Sequence, residues 1–556
     1  MDSTALLNYL SDLFVKMLQD PIAMAVFLFI AAWCLLIGLI FLARAIFQAT
    51  NHEGKAFHRT IILIKVPKEK KSDSTQNQSG NEQNITQTRE YIAIADTMFS
   101  SIAGLKADKG FSKWFFGRND HLSFEIVVKD AKISFYVAIP DKWKDFVEQQ
   151  IHAQYPHAEI SIETDYNLFK PQSHIMAASL FLKSRSAFPL KTFKKMDADP
   201  LLAILNPLSK ISENEGALVQ YIVRPATSSW RKQGVHMIRD IREGQKFEYV
   251  AHRSAFMRSI NKWSKVLFPK HKDPSKGGAE QYHLTQMEEE MVKTMEEKIS
   301  HGGLELSVRL VSSADSQQKA KMNLENIVNS FSQYNIYRYG NSFGAAVPKN
   351  QNKIIRESIY RSPDTTRYMV VNTEEMASLW HMPVPNTETP HINWLGARKA
   401  PPPTNMPTDG ITLGRSVYRG QEIVVKMKRD DRRRHLYTIG KSGSGKSVFI
   451  QNLAIQDVQN GEGVCIIDPH GDFAEYVLQH VPKERADDVI YFNPSDTDRP
   501  IGLNMLEVKT EGQKDFATQE MIAIFYKMVT DPSMIGPMFE HQMRNVMLTL
   551  MADMET

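Results

Sequence analysis

The residues with the clearest chemical meaning form one glycine-rich loop. The loop fits the pattern G-x-x-x-x-G-K-[ST] at every fixed position, and its members are Gly440, Lys441, Ser442, Gly443, Ser444, Gly445, Lys446 and Ser447. Glycines let a backbone wrap closely around a phosphate, because other residues resist the positive φ that this requires. Lys446 is predicted to reach the β- and γ-phosphates as a catalytic residue, and the Ser447 hydroxyl to ligate Mg²⁺. The loop therefore predicts binding of a nucleoside triphosphate, with ATP and Mg²⁺ as the expected ligands.

The segments on either side supply the elements that must position this loop. His435–Ile439 is a short apolar run that predicts a strand. Val448–Val458 has apolar residues near helical spacing and predicts a helix. In this order of elements, the backbone N–H groups of the loop and the N-terminus of the helix face a bound anion.

A second apolar run ends in an acidic residue. Gly463–Asp468 has the composition of a fully buried parallel strand, with Cys465 inside it, and Pro469–Asp472 follows as a turn. Asp468 is a candidate catalytic residue that could organise Mg²⁺, or it could end the strand in a turn without chemistry. Because Asp468 lies only one helix beyond the loop, and Pro469 stands where a catalytic Glu often follows, a secondary role near the γ-phosphate is the favoured interpretation.

Taken together, these motifs resemble the HerA–FtsK superfamily of DNA and protein pumps. The resemblance rests on the loop combined with Ile466–Asp472, and Leu379–Pro383, Asn504–Leu506 and Pro537–His541 are also similar. Within the superfamily the chain is most similar to the ATPases of bacterial type IV secretion and conjugation. The resemblance spans about residues 375–556 and implies a hexameric ring that moves DNA or nucleoprotein and contacts other secretion components.

The expected fold class is therefore an α/β P-loop NTPase motor with a RecA-like parallel sheet, preceded by α+β accessory modules and one transmembrane helix. The expected function couples ATP hydrolysis to translocation of DNA. Two alternatives stay open: a nucleotide-regulated assembly ATPase that acts on protein partners of the secretion channel, and a HerA-like DNA translocase, against which a membrane anchor argues.

The carboxyl end predicts an incomplete motor. Phe516–Met554 has a helical pattern of apolar residues that runs to the end of the sequence, and no later apolar strand ends in Asp-Glu. We therefore expect a fragment of a longer protein, whose remaining part holds the metal-binding acid and the arginine finger. Because those groups carry much of the rate of phosphoryl transfer, we expect residues 1–556 alone to be poorly active.

The amino end predicts a membrane anchor within residues 1–48. Ile22–Ala43 contains no charged residue, and a helix of this length spans about 33 Å, enough for a hydrocarbon core of about 30 Å. A signal peptide or a buried helix is the alternative, but the start carries Asp2, Asp12 and Asp20 where a signal peptide is basic. Basic residues from Arg44 onward predict a single-pass protein of the bacterial inner membrane with its carboxyl-terminal region in the cytoplasm.

Between anchor and motor the pattern predicts two accessory modules. Residues 60–166 read β-α-β-β-α-β, the ferredoxin-like order, and residues 170–375 form a looser α+β module. Residues 382–407 are rich in proline and predict an extended linker, so that the ATPase domain occupies 410–556. Neither module shows a chemical constellation, and the histidines lack zinc spacing.

Composition adds little beyond two basic clusters. The two cysteines exclude a disulfide framework, and a net charge of +4 does not by itself indicate nucleic-acid binding. The first cluster surrounds Trp263 and comprises Arg253, Arg258, Lys262, Lys265, Lys270, Lys272 and Lys276. The second precedes the loop and comprises Lys426, Lys428, Arg429, Arg432, Arg433 and Arg434. Either could contact DNA phosphates, the first also an anionic membrane surface and the second a neighbouring subunit's nucleotide, or each could be a solvated charged surface.

Overall fold

The chain divides into two compact units. The structure, a computed structural model, describes residues 21–56, 59–68, 80–108, 110–252, 284–364, 368–385, 387–396, 401–418, 421–531 and 535–552. Unit 1 consists of Met1–Pro401 with Tyr418–Gln421, and unit 2 consists of Pro402–Val417 with Glu422–Thr556. The first basic cluster, Arg253 to Lys276, lies outside the described residues.

Unit 1 begins with the predicted apolar helix. Helix α1 covers Pro21–Ala56, and its segment Met24–Arg44 has a mean hydropathy of 2.9 with none of its side chains buried. By length and composition this segment can cross a membrane.

The first half of unit 1 contains the elements predicted between residues 60 and 166, with one short helix added. In chain order they are β1 (Arg59–Lys65), α2 (Gly80–Ala103), α3 (Phe111–Phe116), β2 (Leu122–Lys129), β3 (Lys132–Pro140), α4 (Lys144–Gln154) and β4 (Glu159–Glu163). The strands lie in the order β4-β1-β3-β2 and every neighbouring pair is antiparallel. Helix α2 begins at Gly80, and residues 69–79 lie outside the described part.

The second half repeats this order with a helical insertion. Its elements are β5 (His174–Leu182), α5 (Pro200–Leu208), β6 (Gly216–Pro225), α6 (Ser229–Arg242), α7 (Phe247–His252), α8 (Gln286–Ser300), β7 (Gly303–Ala314), α9 (Gln317–Ser330), β8 (Phe343–Ala346), α10 (Gln351–Ile359), β9 (Met369–Asn372) and α11 (Thr373–Leu379). Strands β6, β7, β5 and β8 are neighbours in that order, and β9 pairs with the start of β7. The sequence pattern predicts an α+β module over residues 170–375, which agrees with this mixture of helices and strands, but it does not identify β5 or α5.

The two halves share one sheet, which differs from the two separate modules expected. Strand β2 pairs antiparallel with β6, placing Glu125 opposite Gln220, so the described residues form a continuous nine-stranded sheet. The reason is that β2 and β6 lie next to each other inside the joint sheet, so neither of them is an edge strand. Each has apolar residues that need cover along its whole length, and each satisfies its free backbone groups by pairing with the other.

One face of this sheet carries the main core. Side chains of β2, β3, β6 and β7 that point to this face pack against α2, α4, α5, α9 and α11. Trp380 lies at the centre, with its ring 4.8 Å from that of Phe124 and 6.1 Å from that of Phe99. The motif Leu379–Pro383 is therefore core packing in unit 1, and His381 is buried with Nε2 2.9 Å from Asp199 Oδ1.

The first part of the predicted linker belongs to unit 1. Met382, Val384, Ile392 and Leu395 are buried, and Ile392 and Leu395 form bridges with Ile133 and Pro67. The division between the units falls at Pro401. The prolines prevent helix formation here, as expected, but the apolar residues between them pack on the sheet edge.

Unit 2 contains a hairpin and four helices among its described residues. They are β10 (Ile411–Tyr418), β11 (Gln421–Met427), α12 (Lys446–Gln459), α13 (Asp472–Leu478), α14 (Glu511–Met528) and α15 (Pro537–Ala552). The predicted helix after the glycine loop and the predicted carboxyl-terminal helices are present.

The predicted parallel strands of unit 2 are not formed. Within the described residues, no strand pairing involves His435–Ile439 or Gly463–Asp468. The side chains of Ile439 and Ile467 are 79% and 90% exposed. Cys465, expected in a buried strand, is exposed as well. A strand is stable only with a paired neighbour, and apolar sequence alone does not provide one.

Candidate nucleotide-binding site

The glycine loop has a backbone that its glycines make possible. Gly443 and Gly445 have φ of 76° and 85°, in the region that a side chain disfavours. Gly445 immediately precedes α12, which begins at Lys446. A Cβ atom at position 440 would come too close to Ser444 Oγ, and this close approach favours glycine there. The loop thus leads directly into a helix N-terminus, where unsatisfied N–H groups favour an anion.

Lys446 folds over this loop. Its Nζ donates to the carbonyl oxygens of Gly440 and Lys441, both at 2.8 Å. These bonds hold the ammonium group over the loop. An incoming phosphate would replace the two carbonyl oxygens as the hydrogen-bond partner of the ammonium group. Ser447 lies in the first turn of α12 and is exposed. Lys446 and Ser447 are therefore adjacent and accessible.

Asp468 caps a helix. Its Oδ2 accepts N–H bonds from Phe473 at 2.8 Å and Ala474 at 3.3 Å, and its Oδ1 accepts one from His470 at 3.2 Å. The slight desolvation of this carboxyl raises its pKa, but these N–H groups and that of Gly471 outweigh it, so the pKa of Asp468 lies below its usual value. Gly471 has φ of 89°, which explains the glycine in this turn.

A small apolar cluster connects the two motifs. Ala454 and Ile455 of α12 pack with Val477 of α13, and Ile466 and Phe473 cover them. The helix that follows the glycine loop and the turn that contains Asp468 are thereby held together. Among the described residues, no group of three or more His, Cys, Asp or Glu side chains has the arrangement of a metal site.

The second basic cluster is only partly paired. Arg429 binds Glu462 at 2.7 Å, Arg432 binds Asp457, and Lys426 Nζ donates to Thr408 O at 2.8 Å. Arg433 and Arg434 are exposed. Lys428 is also exposed and has no ion pair among the described residues, so three of the six predicted cations face solvent beside the segment that enters the glycine loop.

Unit 1 contains a buried polar row that the sequence analysis missed. Glu125, Gln220 and Arg309 lie opposite one another on β2, β6 and β7. Arg361 donates two N–H bonds to Glu125, at 2.8 and 3.2 Å, and the Tyr166 hydroxyl donates to Glu125 at 2.7 Å. Burial, and next the Glu125 carboxylate, raise the pKa of Tyr166 well above its usual value. The signal was available for Glu125 and Gln220, since each interrupts a largely apolar run of its strand. Because the charges are paired, the row is structural.

Comparison with known families agrees with the class that this geometry defines. Residues 411–523 match the family described as "Helicase HerA, central domain", which supports a P-loop ATPase domain of the HerA–FtsK type. Residues 81–395 match the family described as "Domain of unknown function (DUF8128)". Since this second match covers more than half of the sequence, the chain belongs to the DUF8128 family. A comparison with curated proteins gave no match.

Proposed function

We propose that this protein is a membrane-anchored ATPase that binds ATP at its glycine loop and uses hydrolysis to move DNA or nucleoprotein in a type IV secretion or conjugation system. The observation that carries the proposal is the loop itself. Gly443 and Gly445 adopt the positive φ of a phosphate cradle, α12 begins at the lysine, and the segment lies within the HerA match.

The loop residues fit ATP and Mg²⁺ by their chemistry. The N–H groups of the loop and the first turn of α12 would bind the phosphates. Lys446, now bonded only to loop carbonyls among the described residues, would neutralise charge on the β- and γ-phosphates, and the Ser447 hydroxyl would hold the metal. Mg²⁺ supplies charge neutralisation across the same phosphates. Asp468, whose oxygens cap α13, would act in a secondary role.

Three features support the wider proposal. Helix α1 has the length and apolarity of a membrane anchor, and Arg44 at the end of its apolar segment supports the proposal that the following residues lie in the cytoplasm. Arg433 and Arg434 offer free charge for phosphates. The strand orders β4-β1-β3-β2 and β6-β7-β5-β8 support two ferredoxin-like modules that act as scaffold, and we propose a hexameric ring by similarity to the superfamily.

The proposal is tested first at Lys446. Lys446→Ala is expected to weaken binding of a fluorescent ATP analogue about 10- to 100-fold, since a hydrogen bond to a charged group contributes about 1.5–3 kcal/mol. Lys509→Ala is the matched control, because Lys509 is an exposed lysine of unit 2 that lies outside the loop. Full-length variants are compared by fluorescence anisotropy. Equal affinities for wild type and Lys446→Ala would refute the nucleotide site.

A further inference from the structure

A short aromatic segment protrudes from unit 1 beside α1. We call residues 110–117 the aromatic segment; it contains α3, and four of the six residues of that helix are Phe111, Trp114, Phe115 and Phe116. Phe111 is 76% exposed, and Trp114 and Phe116 are exposed too. Single exposed aromatic side chains are common on soluble proteins, but a contiguous group marks an interaction surface.

The aromatic segment packs on one side of α1 at the carboxyl end of its apolar stretch. Trp114 contacts Phe41, with ring centres 5.9 Å apart, and Phe47 contacts both Phe115 and Phe116 at 5.7 and 5.6 Å. Between these contacts, Arg44 Nε donates to the Trp114 carbonyl at 2.9 Å. The guanidinium of Arg44 lies 4.6 Å from the Trp114 ring. Phe41, Arg44 and Phe47 are three residues apart, so they share one side of the helix.

A glycine with positive φ lies at each end of this segment. Gly110 and Gly117 on either side of α3 have φ of 113° and 88°, conformations that other residues resist. Two lysines meet at Asp108, close to the start of the segment: Lys113 of α3 and Lys142 approach it at 3.5 and 3.8 Å, and both keep nearly half of their side chains exposed. Aromatic rings with cations beside them are the composition of a membrane interface.

We propose that the aromatic segment is a second membrane contact, inserted at the boundary between headgroups and acyl chains of the bilayer that α1 crosses. The lipid surface is the occupant that the geometry favours, because the segment touches α1 where its apolar stretch ends at Arg44. Phe111 and Phe116 then enter the apolar side of the interface, while Lys113 and Lys142 reach anionic headgroups. Since the segment connects α2 to β2, this contact fixes the tilt of unit 1 against the membrane. The inference rests on the proposed role of α1 as an anchor.

The test places an environment-sensitive NBD fluorophore at single cysteines of the full chain in liposomes that contain anionic lipid. Ser112→Cys, in a background with Cys34→Ala and Cys465→Ser, puts the probe in the aromatic segment without removing an aromatic ring. Native Cys34, in a Cys465→Ser background, reports on α1, and Tyr337→Cys is the control, since Tyr337 is 86% exposed. Quenching by lipids that carry a doxyl group near the headgroup or near the chain end gives the depth of each probe.

We expect a blue-shifted probe at position 112 that is quenched most by the doxyl group near the headgroup, and a probe at position 337 that no lipid quenches. Phe111→Ser combined with Phe116→Ser should remove the quenching at position 112 and leave that at Cys34 unchanged. A quenched Cys34 with an unquenched position 112 overturns the second contact alone. If neither is quenched, the anchor fails as well. A blue shift at position 112 without lipid quenching shows that protein, such as a second copy, covers the segment, and this also overturns the inference.

Discussion

A single carboxylate, Asp468, decides how the second motif of unit 2 is interpreted. Both oxygens of Asp468 accept backbone N–H bonds from the start of α13 and the turn before it, so this carboxylate has a structural role at the helix N-terminus. These bonds favour the charged form and give a lowered pKa. These contacts give Asp468 the role of a cap for α13, and its secondary role near the γ-phosphate stays a prediction.

The first prediction follows from this lowered pKa. A carboxyl with a depressed folded-state pKa stabilises the fold above its unfolded-state pKa of about 3.9, and this stabilisation is lost as the pH falls through the folded value. Asp468→Asn should therefore remove part of the acid sensitivity of unit 2 while keeping ATP affinity. Urea unfolding at several pH values, with Asp498→Asn as the exposed control, measures the difference. If Asp468→Asn loses ATP turnover by orders of magnitude with fold and binding intact, Asp468 is the metal acid.

At the scale of elements, the sequence predicted those whose pattern is local. Strands β2 and β3 have apolar runs around a turn, and α12 follows a loop whose spacing fixes its start. The strands expected at His435–Ile439 and Gly463–Asp468 are not formed, and the reason is physical. A strand depends on a paired neighbour, which can lie anywhere in the chain, so a local apolar pattern is not sufficient to predict it. Strand β5 has a weak local pattern, so the sequence did not indicate it. Its pairing with β7 and β8 stabilises the strand instead.

A buried ion pair connects the helical insertion to helix α11, and it carries the second prediction. Lys298 of α8 lies 2.9 Å from Glu375 of α11, both side chains are buried, and Glu375 also accepts N–H bonds from Leu190 and Asn372. Burial lowers the pKa of Lys298, and Glu375 opposes this shift. Lys298→Met leaves a buried carboxylate without its cation, so we expect a loss of about 3–5 kcal/mol in the free energy of unfolding of unit 1.

The control for this pair is Lys293→Met, because Lys293 is exposed on the same helix and should change stability by less than about 0.5 kcal/mol. Lys298→Met combined with Glu375→Gln should recover part of the loss, since the amide oxygen can still accept a backbone N–H while the unpaired charge is gone. Urea denaturation followed by tryptophan fluorescence compares the four proteins. Equal stability of Lys298→Met and Lys293→Met would contradict the structural role of the pair.

At the scale of the whole molecule, the net charge of the chain is small, but the charged residues are unevenly distributed along it. The net charge of +4 hides two basic clusters, and within the second one the acids Glu462 and Asp457 neutralise Arg429 and Arg432. A charge that already has a partner releases few counterions when DNA binds. The exposed Lys428, Arg433 and Arg434 are therefore the residues of this cluster that we propose to contact DNA, and sequence alone could not separate them from their paired neighbours.

The third prediction concerns DNA binding by the full chain. The protein should bind duplex DNA without strong sequence preference, and the logarithm of the affinity should fall linearly with the logarithm of salt concentration, by about 0.9 per phosphate contact. Arg433→Glu combined with Arg434→Glu should make this slope less steep by the amount that corresponds to about two phosphate contacts. Lys349→Glu combined with Lys353→Glu reverses the same number of exposed charges in unit 1 and should leave the slope unchanged. If the slope instead falls on charge reversal of Lys262, Lys265 and Lys270, the first cluster is the contact. No binding at low salt would favour an assembly ATPase that acts on protein partners, because a DNA motor must hold its substrate through the phosphate backbone.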